Sequence, residues 1–170
     1  LDIEGQSLRY MLMKNCGVTS STMIHQEILA RIPTVPDGLK TAEDWLLFVY
    51  VASETEWHLV PGRWFFYRVH STQATRNRGM SKWRYRIEAW THGWELAGFP
   101  RGLELRPYGG EYAGEVHRWV WEALSQRRFS EAVEIYRAGS PFVASPIHRA
   151  SVLLPPPVRW RLRHLLSRAT

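Results

Sequence analysis

With 170 residues, 45% of them apolar, the chain is long enough to bury a sizeable core and reads as one globular domain with room for an appendage, not as a disordered segment. A lone cysteine, Cys16, excludes an internal disulfide and any cysteine-rich zinc site, and fits a reducing compartment. The net charge of +6 favours an anionic partner, and no apolar run approaches the roughly 18 residues that a membrane-spanning helix requires.

The opening Leu-Asp-Ile-Glu-Gly has neither an initiator Met nor a basic stretch leading into an apolar one, so no secretory signal is expected. Cys16 to His25 mixes β-branched and small hydroxyl residues and predicts a strand that ends in Thr19, Ser20, Ser21 and Thr22. A short helix is expected from Gln26 to Ile32, broken by Pro33 and Pro36, with Asp37-Gly38 as a turn. From Ala42 to Ser53 the residues are apolar on nearly every side, which predicts a helix buried in the middle of a domain. Trp57 to Val60 and Arg63 to His70 then read as strands around Pro61-Gly62, with Trp64, Phe66, Arg68 and His70 on one face.

Trp83, Ile87, Trp90 and Trp94 recur at i, i+4, i+7 and i+11 and predict an amphipathic helix from about Ser81 to Ala97, stopped by Gly98 and Pro100. Tyr112, Val116, Trp119 and Ala123 repeat that spacing. Ser130 is expected to cap the next helix, closed by Gly139 and Pro141, so that the two form a helical hairpin. After Pro155-Pro156-Pro157 a last helix would carry Val158, Leu162, Leu165, Leu166 and Ala169 on one side, flanked by Arg159, Arg161 and Arg168. Such a basic amphipathic tail, residues 158–170, suits peripheral contact with an anionic membrane.

Thr41-Ala42-Glu43-Asp44-Trp45, at the mouth of the buried helix, has two readings. As local structure it is a capping box, with Thr41 as N-cap, Asp44 at the third helical position and both carboxylates favoured by the helix dipole. As a site it holds two carboxylates on a rigid support, with Trp45 beside them as a candidate for stacking on a sugar.

The order of the surrounding residues bears on the choice. Gly17-Val18-Thr19-Ser20-Ser21-Thr22-Met23-Ile24-His25-Gln26-Glu27-Ile28-Leu29, then Thr41-Ala42-Glu43-Asp44-Trp45, then Tyr67-Arg68-Val69-His70-Ser71 resembles the second half of family-two glycosyltransferases. The resemblance covers Asn15 to Asn77 well and the helices up to Arg168 more loosely. It implies an α/β chain: the second half of a GT-A mixed sheet over residues 1–100, the acceptor side, followed by a mostly α-helical extension over 101–170.

The resemblance also implies roles. Asp44 would be the base that takes the proton from an acceptor hydroxyl as it attacks the anomeric carbon of a nucleotide-diphosphate sugar, with inversion, and Glu43 would orient the acceptor or a neighbour. Ser20, Ser21 and Trp45 would line the acceptor cleft, although hydroxyls at a strand end equally satisfy the local backbone. His70, Arg68 and Arg76 would lie near the diphosphate, and His70 is the one residue here that could reach a metal. The donor would be a nucleotide sugar and the acceptor a carbohydrate or lipid-linked molecule, as in bacterial polysaccharide and cell-envelope biosynthesis. The reaction would be cytoplasmic or at the inner face of the membrane.

The departures are equally specific. The family's Asp-x-Asp, which holds Mg2+ or Mn2+ against the donor diphosphate, is absent: Asp2, Asp37 and Asp44 are the only aspartates. The nucleotide-binding strands that should precede it are absent too, so the chain is expected to be either a truncated or a degenerate homologue, inactive alone. No dinucleotide or P-loop glycine motif and no His-Glu-x-x-His spacing is present. Glu43, Asp44, Glu54 and Glu56 interrupt the centre of the chain, so nucleic acid is not expected as a partner. The competing class is a non-catalytic helical module whose hairpin and basic tail bind a protein or an anionic membrane surface.

Overall fold

The computed structural model describes residues 5–13, 18–66, 68–69, 82–98, 109–143, 149 and 152–158. The chain divides into two compact units, Leu1–Phe99 and Pro100–Thr170. Each is built from helices.

In the first unit α1 spans Ser7–Met13, α2 Gln26–Arg31, α3 Glu43–Glu54 and α4 Trp83–Leu96. α3 is the core element, packed against α1, α2 and α4. Trp45, Leu46, Phe48, Val49, Tyr50, Val51 and Ala52 are all buried, so α3 is apolar around its circumference because neighbours cover it on several sides. α4 presents the stripe its spacing predicts, with Trp83, Ile87, Trp90 and Trp94 buried and Arg84 and Glu88 exposed. Each large side chain so buried contributes about 1.5–3 kcal/mol. Phe48 meets Trp57 edge to face at 5.2 Å.

α1 is too short to persist by its own propensity, and tertiary contacts hold it. The carboxylate of Glu56 accepts from the backbone N–H of Gly5 (3.1 Å) and of Ser7 (3.3 Å) and from Ser7 Oγ, while Ser7 Oγ accepts from Trp57 N (2.8 Å). Glu56 therefore serves as the start cap of a helix about fifty positions earlier in the sequence. At the other end Trp45 Nε1 donates to Met11 O (2.9 Å) and fastens α1 to α3.

The expected mixed α/β sheet is not present: the described residues contain helices and turns and no strand. Thr19–Ser21, assigned to a strand, form a 3-10 turn in which Ser21 Oγ and Thr22 Oγ1 donate to Val18 O at 2.9 and 3.0 Å. The hydroxyl run thus satisfies the local backbone instead of ending a ladder. Residues 57–66 and 68–69 form neither helix nor strand, and Leu59, Val60, Trp64, Phe66 and Val69 are exposed. Alternation needs a covered face to become a strand, and among the described residues His58 to Val69 have none. The expected face of Trp64, Phe66 and Arg68 is not a buried one, and His70 lies outside the described residues.

In the second unit α5, Gly109–Ser125, and α6, Phe129–Gly139, form the expected hairpin, with Tyr112, Val116, Trp119 and Ala123 facing Ala132, Ile135 and Gly139 in its core. Ser130 is not the cap. Arg128 holds that position, and Ser130 sits exposed in the first turn of α6. Between the helices Arg127 N donates to Leu124 O (3.0 Å) and Arg128 N to Ala123 O (2.8 Å), with Arg127 in the left-handed region at φ 57°, a Schellman-type helix end that commonly uses glycine. The chain after α6 folds back on α5: Trp121 Nε1 donates to Val152 O and His117 Nε2 lies against Leu154 O, both at 3.1 Å. No described helix is long and apolar enough to cross a membrane. The expected amphipathic tail lies outside the described residues beyond Val158.

Candidate active site

The mouth of α3 is built differently from a capping box. Ala42, not Thr41, precedes the helix, in the left-handed conformation with φ 66° and ψ 11°, and no side chain caps it. Its carbonyl accepts the first intrahelical bond, from Leu46 N at 2.9 Å. An alanine there costs about 1–2 kcal/mol, and such a residue persists only where the surroundings fix it. The completely buried Leu46 and Val49 supply that anchorage within the following two turns.

Glu43 and Asp44 thus become the first two helical residues. Glu43 is exposed and Asp44 half-buried. Asp44 Oδ1 accepts from the backbone N–H of Trp45 at 2.7 Å, one of the donors that a helix start leaves without an intrahelical partner. Negative charge at this place is also favoured by the helix dipole. A carboxylate fixed by a hydrogen bond to its own backbone, on a helix that cannot shift without disturbing the core, has the positional precision that proton abstraction needs.

The other expected site residues separate. Trp45 is buried, with 7% of its surface exposed, and its ring is an element of helix packing, close to Gly93 of α4. Ser20 and Ser21 are exposed on the turn before α2, the helix that packs on α3. Arg68 is exposed, while His70 and Arg76 lie outside the described residues. Among the described residues no group of three or more His, Cys, Asp or Glu side chains is placed to hold an ion, and His70, the expected metal-proximal residue, lies outside them. Among the described residues Glu43 and Asp44 have no third ligand beside them.

Compared with protein-family models, with curated proteins and with solved structures, the chain matches none. Its function is therefore argued from its own residues. Two features of the site are not legible in its sequence. Left-handed Ala42 has no propensity signal, and the depth of Trp45 follows from its place on the helix, since one residue further along turns the side chain by roughly 100°. A third feature, the exposed indole of Trp64, does have a signal: a Pro-Gly turn two residues before a tryptophan.

Proposed function

We propose that the chain supplies the acceptor side of an inverting glycosyltransferase that moves a sugar from a nucleotide-diphosphate donor to a carbohydrate or lipid-linked acceptor. Asp44 is the base: it takes the proton from the acceptor hydroxyl as that oxygen bonds to the anomeric carbon, while the bond to the diphosphate breaks on the opposite face and the diphosphate leaves with the electron pair. Glu43, exposed beside it, orients the acceptor. The observation that supports this reading is the half-buried Asp44 carboxylate at the start of the most deeply buried helix, in the sequence context that resembles family-two enzymes. Donor binding, and any metal that accompanies the diphosphate, requires residues other than these.

The test is transfer by the full-length protein against a panel of nucleotide sugars, wild type beside Asp44→Asn. The variant is expected to lose transfer while keeping donor affinity, because a base acts on the transition state and not on donor binding. Undiminished turnover would refute the role of Asp44.

One observation favours a second reading, a helical interaction module: α6 leaves Phe129 and Val133 exposed one turn apart, a pair suited to a partner's apolar surface. In that case no nucleotide sugar would be consumed, and Phe129→Ser would abolish partner capture.

A further inference from the structure

Among the described tryptophans Trp64 alone is exposed, with 74% of its surface open. It is nonetheless held in place. Its Nε1–H donates to Pro61 O at 3.1 Å, and its ring lies so close over Gly62 that a Cβ built there would sit 2.5 Å from Cε2 and from Nε1. Gly62 has φ 142°, a conformation that side chains rarely adopt, so the turn needs glycine and the ring uses the space that glycine leaves.

Three properties follow. The one polar atom of the indole is satisfied within the turn, one part of the ring is covered by backbone, and the remaining π-surface faces solvent. A fixed aromatic face suits the C–H face of a pyranose ring, and fixing it beforehand lowers the ordering cost of binding. The stretch from Trp57 to Val69 also contains His58, Arg63 and Arg68 and no acidic residue, with both arginines exposed. A carboxylate or phosphate on the sugar is favoured by that charge.

We propose that Trp64 is a stacking platform for a sugar ring of the acceptor, and that Arg63 and Arg68 bias it toward anionic saccharides. The proposal rests on the glycosyltransferase reading for the name of its ligand, but it concerns binding and not transfer.

The test is titration of the 170-residue chain, followed by saturation-transfer NMR, with a galacturonate trimer, a hexose phosphate and a neutral galactose trimer. Wild type should bind the anionic sugars more tightly than the neutral one, and the tighter of the two identifies the anion. Trp64→Ala should weaken binding about tenfold, and Trp64→Phe, which keeps an aromatic face, should weaken it less. Arg63→Gln should reduce the preference for anionic sugars. Because Trp64 is exposed, circular dichroism should show the variants folded. These titrations read binding and not transfer, so loss of the base assignment would leave this result standing, and loss of the platform would leave the base assignment standing. Equal affinity of Trp64→Ala and wild type, absence of binding to any of the sugars, or a change confined to self-association would overturn the platform. Equal affinity for neutral and anionic sugars would overturn the charge bias.

Discussion

Gly93 of α4 lies directly against the indole of Trp45 on α3, so close that a Cβ on Gly93 would stand 2.8 Å from Cη2 and 3.1 Å from Cζ3. Alanine at this place brings two opposed effects. Helix propensity favours it by about 0.5–1 kcal/mol, whereas overpacking costs about 1–3 kcal/mol. The ring cannot swing aside freely, since its Nε1 is bonded to Met11 O. Gly93→Ala should therefore lower stability by about 1 kcal/mol in urea unfolding, and adding Trp45→Phe, a smaller ring without that bond, should recover less than it loses elsewhere but make the two changes non-additive. A stabilised Gly93→Ala would show that the helices are not in this contact.

The clip formed by Glu56 makes the first unit sensitive to acid. Hydrogen bonds from Ser7 Oγ, then from the backbone of Ser7 and Gly5, together with the nearby charge of His58, hold the Glu56 carboxyl below the usual glutamate range against the opposing effect of desolvation. A depressed folded-state value means that the stabilisation is present above the unfolded value, about 4.3, and is lost as pH falls through the folded one. Glu56→Gln should melt below wild type at neutral pH, with the gap closing as the solution is acidified beneath that range. A gap independent of pH would assign the loss to shape instead of charge.

At the hairpin turn the prediction has the opposite sign. Arg127 occupies a left-handed position where an L side chain costs about 1–2 kcal/mol and glycine almost nothing. Arg127→Gly should raise the melting temperature of the second unit, and Arg127→Val, β-branched, should lower it. Thermal unfolding of the three proteins checks the order; a destabilising glycine would mean that the arginine side chain contributes more than its backbone costs.

The helices with interior stripes, α4, α5 and α6, are legible because their patterns are local: Trp83, Ile87, Trp90 and Trp94 need only a helical period to share a face, and they do. The expected sheet is absent among the described residues for the complementary reason. Trp57 to Val60 and Arg63 to His70 have strand-like composition, but a strand exists only with a partner, and residue pattern alone does not show whether one is available. α1 has no local signal, because its cap, Glu56, lies far along the chain. At the site, Thr41 reads as a cap until the positive φ of Ala42 shifts the helix start by one residue. Trp45, adjacent to Asp44 in sequence, turns inward, and the exposed indole belongs to Trp64.

Asp44 carries two separable duties, and they can be told apart by ordering its variants. As a structural group it accepts the Trp45 N–H and places negative charge at a helix start, the latter worth typically about 0.3–1 kcal/mol. Asparagine keeps an oxygen acceptor in the same place and loses only the charge; alanine loses both. Stability should therefore fall slightly in Asp44→Asn and further in Asp44→Ala. Proton abstraction follows another order, because an amide oxygen cannot serve as the base: both variants should lose transfer equally, by about two to four powers of ten. If activity instead declines in step with the unfolding free energy, with Asp44→Asn nearly as active as wild type, the carboxylate is a cap alone. A dead but stable Asp44→Asn distinguishes chemistry from capping, because the backbone bond survives in that variant and only the capacity to take a proton has gone.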